Sequence, residues 1–257
     1  MNIVQNILTK NDCYKAGRKI TVKGLMIHSV GCSQPNASVF LKNWDKSGYQ
    51  ACVHAFIDGN TGTVYQTLPW NHRGWHGGGS SNNTHIGVEM CEPSTIKYTS
   101  GANFTDLNPT KTKETVMRTY NAAVELFAFL CKEYNLNPLT DITGHKEGHK
   151  KGIASNHGDP DHLWSKFGLS MDGFRKDVQA QMGKGGTSTP VKVENPVSGT
   201  SGTPYKVQVT SVVDVYSAPA VSQVNTKGVY TIVEEKNGYG KLKSGAGWIK
   251  LSEVKKL

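Results

Sequence analysis

Apolar positions in the first 180 residues recur at two periods. Leu25–Val30 (L-M-I-H-S-V) is an apolar run interrupted by one histidine and predicts a buried strand. Around Ala37–Lys46, Val39, Phe40 and Trp44 fall at helical spacing. Cys52–Ile57 and Thr63–Leu68 flank D-G-N-T-G, a hairpin-turn signal, and predict a pair of strands. His85–Cys91 (H-I-G-V-E-M-C) alternates and stops at C-E-P. From about Pro109 to Tyr134, Val116, Tyr120, Ala123, Val124, Phe127, Leu130 and Cys131 form one stripe, and the spacing predicts a long helix ended by Asn135-Leu-Asn-Pro. A last helix is predicted near Asp172–Met182. Strands interspersed with helices predict an α/β domain over residues 1–182.

The pattern then changes. Residues 183–204 are rich in Gly, Ser, Thr and Pro, hold no aromatic residue, and read as a flexible linker. Beyond it, Tyr205–Thr210 alternates and Val229–Glu234 is β-rich. N-G-Y-G at 237–240 marks a hairpin, and G-A-G-W-I-K-L at 245–251 predicts a final strand. Short strands with glycine-rich turns and no helix predict a small all-β barrel over 205–257.

Composition narrows the partners. The net charge of +9 favours an anionic surface such as nucleic acid, membrane or cell wall. No basic helix with interleaved aromatics supports nucleic acid, and no apolar run is long enough to insert into a membrane. The five cysteines are scattered without a CxxC, so reduced, mostly buried thiols are expected rather than a disulfide framework or a four-cysteine zinc site. The N-terminus lacks a basic region followed by a long apolar core. The expectation is synthesis in the cytoplasm without a signal peptide, with action elsewhere only after release.

Candidate chemistry concentrates in one place. All nine histidines lie between His28 and His162. Thr143–Trp164 holds His145, His149, His157 and His162 beside Glu147, Asp159 and Asp161, a set of imidazoles and carboxylates suited to a catalytic zinc. Its glycines argue against a regular helix, and HExxH is absent. A loop site joining His145 to a later carboxylate or imidazole and to a distant strand histidine is the expectation. His28 and Glu89 each interrupt an apolar strand, where a polar group is costly unless it is paired, ligated or lines a site. The loop W-N-H-R-G-W-H-G-G-G at 70–79 gathers two Trp and two His, as a contact surface would.

These segments together resemble the zinc-dependent N-acetylmuramoyl-L-alanine amidases of the type-2 amidase, or peptidoglycan-recognition-protein-like, family. The resemblance covers most of residues 11–182. It rests on N-D-C-Y-K-A-G-R-K-I, G-L-M-I-H-S-V-G, V-H-A-F-I-D-G-N-T-G-T-V-Y-Q, W-H-G-G, I-G-V-E-M-C and G-I-A-S-N-H-G-D-P-D-H-L-W. It has the look of phage endolysins of Gram-positive hosts and of related autolysins. It implies a mixed central sheet flanked by helices, a Zn2+ ion held by His28, His145 and Asp159, and Glu89 as catalytic acid/base. His157, two residues before the third ligand, is implied to steady the oxyanion; Lys is common at that position in the family. The rival is His157 as third ligand with Asp159 orienting it. Trp75 and His76 are candidate contacts to glycan or stem peptide.

The implied reaction is hydrolysis of the amide between N-acetylmuramic acid and L-alanine in the peptidoglycan of Gram-positive cell walls. The tail, through Y-T-I-V-E-E-K-N-G-Y-G-K-L-K-S-G-A-G-W-I-K-L, resembles a bacterial SH3-like wall-binding domain. Tyr216 and Tyr239 are its candidate ligand contacts, and Trp248 is read as core. The alternative function is a recognition protein that holds peptidoglycan without cutting it.

Overall fold

The computed structural model describes residues 3–183 and, in the tail, residues 205–209, 215–216, 228–236, 239–243, 248–251 and 254–256. The chain divides into two compact units, Met1–Gly186 and Thr187–Leu257.

The first unit is built on six strands: β1 (Ile3–Gln5), β2 (Gly24–Ser29), β3 (Ala55–Ile57), β4 (Val64–Gln66), β5 (His85–Met90) and β8 (Ile142–Gly144). Their order is β1-β4-β3-β5-β2-β8. β3 and β4 are antiparallel and every other neighbouring pair is parallel, so the sheet is mixed, as expected. β6 (Ile96–Ser100) and β7 (Asn103–Asp106) form a separate hairpin. The helices are α1 (Asp12–Ala16), α2 (Ala37–Trp44), α3 (Pro109–Glu133), α4 (His145–Lys150), α5 (Asp161–Trp164) and α6 (Met171–Gly183).

Strand alternation divides the core in two. Leu25 and Ile27 of β2 and Ile86 and Val88 of β5 pack with Val116, Phe127 and Phe174 from α3 and α6. On the other face, Phe56 packs with Val53, Leu8, Ala37 and Leu41, and Phe40 stacks on it at 5.0 Å. His28 lies in register with Glu89, and Glu89 with Phe56. The chemically active face is therefore the one opposite α3. The long helix starts where Asn108 accepts a bond from Lys111 N at 3.2 Å with Pro109 in the first turn, and ends before Asn135, which takes the left-handed conformation at φ 52°.

Two expectations are corrected. The strand predicted over Cys52–Ile57 contracts to β3, because Cys52 instead makes an isolated bridge to Trp75. The glycines of 143–164 do not prevent helix: His145–Lys150 is α4. A Cβ on Gly148 would approach Met26 at 2.8 Å, so the glycine allows close packing on β2. Glu147 accepts from Gly144 N at 3.4 Å and pairs with Arg175, which also donates to Ile142 O at 3.2 Å. That arginine joins β8, α4 and α6. Among the described residues all five cysteines are free thiols, and Cys52, Cys91 and Cys131 are buried.

In the second unit the strands Tyr205–Val209, Val215–Tyr216, Gly228–Lys236, Tyr239–Leu242, Trp248–Lys250 and Lys255–Lys256 form one six-stranded sheet with antiparallel neighbours. Ile232, Leu242 and Ile249 are buried in it. Of the expected linker, Gly183 closes α6 and 184–204 lie outside the described residues, as do the 237–238 turn and the side chains of Tyr216 and Trp248. Tyr239 is half-buried. Among the described residues no helix is long and apolar enough to cross a membrane.

Candidate active site

The site forms where three parallel strands end on their carboxyl side, the usual place for a ligand on such a sheet. His28 is the fifth residue of β2, Glu89 the fifth of β5, and His145 follows β8 directly. Asp159 arrives from the loop before α5.

His28, His145 and Asp159 turn their donor atoms toward one point. His28 Nδ1 is 3.0 Å from His145 Nδ1 and 3.2 Å from Asp159 Oδ2, and His145 Nδ1 is 3.5 Å from Asp159 Oδ1. Four ligands arranged tetrahedrally at zinc distances of 2.0–2.1 Å stand about 3.3 Å apart, and with one donor atom from each residue the three lie within 4.8 Å of one another, close enough to converge on one divalent ion. Two imidazoles and one carboxylate are a catalytic rather than a structural donor set. The three are 1%, 4% and 9% exposed, so the cluster is largely closed to bulk water. Burial works against the charge of Asp159, yet bonds from His145 and His28 prevail and hold its pKa far below the usual carboxylate range. Burial lowers the pKa of His28, leaving it neutral and able to donate a lone pair.

Glu89 stands beside His28 in register, half-buried, and its Oε2 is a buried oxygen without a hydrogen-bond partner. Burial, then the charges of Asp159 and Glu92, push its pKa well above the ordinary value. A carboxyl group whose pKa is raised by burial and whose Oε2 has no hydrogen-bond partner is suited to proton transfer.

His157 lies outside the donor cluster. It is exposed, its ring is 4.5 Å from that of His145, and its Nδ1 meets Ser155 Oγ at 2.9 Å. Asp159 faces both histidines, and the three donors that lie together are His28, His145 and Asp159. His157 therefore borders the site. His149 is exposed, and His162 bonds Tyr98 at 2.6 Å near the wholly buried Glu92. Trp75 is 48% exposed and carries Arg73 over its ring at 5.0 Å, forming a surface platform. His76 is half-buried behind His28 with both ring nitrogens engaged, its Nδ1 with His28 Nε2 at 3.0 Å and its Nε2 with His85 O at 3.1 Å.

Four supporting residues carried too weak a sequence signal to be singled out. Ser155 Oγ is 3.1 Å from His145 Nε2 and donates to Gly77 O at 3.3 Å. Asn82, 1% exposed, accepts from His76 N at 2.9 Å and Gly77 N at 2.8 Å, which fixes that loop. Arg175 anchors α4. Gly87 alone had a readable cue, because a glycine inside an apolar strand often marks a close approach. A Cβ there would overlap the ring of His76.

Known proteins similar to this chain share one family description. The sequence profile of the N-acetylmuramoyl-L-alanine amidase family matches residues 17–162, more than half of the chain. The N-acetylmuramoyl-L-alanine amidase XlyA of Bacillus subtilis (strain 168) is 31% identical over 100 residues, covering 36% of this chain and 32% of XlyA. The match thus spans about a third of that relative's length. The catalytic domain of XlyA superposes with a TM-score of 0.49 at 21% identity, over 69% of this chain and 99% of the domain. The PlyG catalytic domain superposes with a TM-score of 0.50 at 18% identity, over 74% of this chain and 99% of that domain, a likeness of fold. With the profile spanning β2, β5 and all three clustered donors, the chain belongs to the N-acetylmuramoyl-L-alanine amidase family.

Proposed function

We propose that the chain is a peptidoglycan hydrolase that cleaves the amide between N-acetylmuramic acid and the L-alanine of the stem peptide, using a zinc ion held by His28, His145 and Asp159. The observation that carries this reading is Glu89 Oε2, buried without a hydrogen-bond partner, beside a cluster of three donors suited to a metal ion. Bound there, zinc supplies Lewis acidity, polarising a carbonyl and bringing the pKa of water to about 7. Glu89 takes the proton of the attacking water and returns it to the departing amine of L-alanine. His157, at the open edge, donates an N–H to the oxyanion that develops on the scissile carbonyl. Trp75 offers an aromatic face to glycan or stem.

The tail is proposed to be an SH3-like module that keeps the catalytic unit at the wall, with Tyr216 and Tyr239 as ligand contacts. A second weak contact on the same chain raises the local concentration of the enzyme at its substrate. The net charge of +9 suits an anionic wall. The proposed setting is the Gram-positive wall, reached after release from the cytoplasm in the manner of a phage endolysin.

End-group analysis of purified walls tests the reaction. The expected products are new L-alanine amino termini, without new reducing sugar ends or free cross-bridge amines. Zinc-loaded protein that sediments with walls and releases no L-alanine termini would instead be a recognition protein.

A further inference from the structure

We propose that His76 is a positioning residue that fixes the ring tautomer of His28 and so presents the Nδ1 lone pair of His28 to the metal; this rests on the zinc reading of the site. The argument is one of donors and acceptors. A backbone carbonyl only accepts, so His76 Nε2, 3.1 Å from His85 O, carries the ring proton. In the neutral imidazole the other nitrogen then has none, and His76 Nδ1 is an acceptor. It faces His28 Nε2 at 3.0 Å and draws the ring proton of His28 to that side, while Asp159 Oδ2, 3.2 Å from His28 Nδ1, competes for it until a metal takes Nδ1. With the proton on Nε2, the Nδ1 lone pair of His28 is free for a metal, and this is the atom directed at His145 and Asp159. Metal-bound histidines are commonly oriented in this way by a group on the far ring nitrogen.

The surroundings of His76 are built for the task. Asn82 holds its backbone and that of Gly77 through one buried side-chain oxygen. Gly87 leaves the space its ring fills. His54 packs against it edge-on at 5.8 Å. The other ligand is supported differently. His145 Nε2 meets the Ser155 hydroxyl, whose own proton goes to Gly77 O, so that ring is backed by a hydroxyl oxygen rather than by a second imidazole.

The test reads the tautomer directly. Two-bond nitrogen–proton correlation spectra of the zinc-loaded protein should show both His76 and His28 protonated at Nε2. A His76 protonated at Nδ1 overturns the proposal without any substitution. Zinc affinity, measured by competition with a chelator, should weaken about 10–100-fold in His76→Leu, which has no acceptor. It should recover most of that loss in His76→Asn, whose side-chain oxygen occupies the place of Nδ1. Unchanged affinity in His76→Leu, or equal losses in both variants, overturns the proposal, since equal losses mean that His76 serves only packing. None of these readouts uses turnover. Tight zinc binding with an Nε2-protonated His28 and no L-alanine release would refute the amidase reading while leaving this one standing.

Discussion

Glu89 stands in its strand at a cost. Its carboxyl is buried, has one oxygen without a partner, and has a pKa raised by that burial. A raised folded-state pKa means that the stabilising form is the protonated one. Its contribution is complete below the unfolded value of about 4.3 and is lost as pH rises through the folded value. In chelator-treated protein, Glu89→Gln should therefore flatten the decline of stability above about pH 4.3. It should raise unfolding free energy at pH 7, because the neutral amide carries no charge for burial to penalise, as urea titration would show. The same variant should turn over about 10²–10⁴-fold more slowly, the usual worth of a general acid–base. A group that lowers stability while raising rate is one retained for chemistry. Gly87→Ala belongs at this scale too. The added methyl displaces His76, and zinc affinity measured by chelator competition should fall by about tenfold or more while far-ultraviolet circular dichroism stays native.

At the scale of elements, the site depends on how β8 passes into α4. Arg175 of α6 donates to Ile142 O and pairs with Glu147, so one side chain fixes the exit of the strand and the first turn of the helix that bears His145. Arg175→Met should cost about 2–3 kcal/mol, as expected for charged hydrogen bonds. Urea unfolding would register that loss, together with weaker zinc binding. The sequence made the long elements legible because their patterns are strong: the seven-residue stripe of α3, and the apolar runs of β2 and β5. It also exposed His28 and Glu89, because a polar residue in an apolar strand breaks the pattern. It misjudged α4, where Gly148 seemed a helix breaker but instead permits contact with Met26. The arrangement behind the ligands stayed hidden for a physical reason. Asn82, Ser155 and Arg175 act through hydrogen bonds to residues far away in sequence, and no local periodicity records such bonds. His76 was read as a substrate contact because it adjoins Trp75; the fold turns the tryptophan outward and the histidine inward.

For the molecule as a whole, buried imidazoles set a limit on the acid side. His54 is fully buried, gives its Nε2 proton to His72 O at 2.8 Å and accepts from Gly87 N at 3.0 Å. Burial drives its pKa from 6.5 down to about 4. Its contribution is present above the unfolded value and lost as pH falls through the folded one, so the window is pH 6.5 to 4. That lowering is worth about 3 kcal/mol. Urea midpoints of the catalytic unit should drop across this window, and the fall should be smaller in His54→Gln. The two-unit organisation predicts separable roles. Protein lacking residues 205–257 should keep its rate on soluble muropeptides and bind walls about 10²-fold more weakly in sedimentation assays.

The central claim is that zinc at His28, His145 and Asp159 works with Glu89 to cut the muramyl–alanine amide. Its most direct test is the rate at which L-alanine amino termini appear when wild-type and Glu89→Gln proteins, each loaded with one zinc per chain, digest purified Gram-positive walls. The account predicts steady release by the wild type and a loss of at least about 10²-fold in the variant with its zinc retained. Equal rates in the two proteins, or no L-alanine termini from the zinc-loaded wild type, would contradict it.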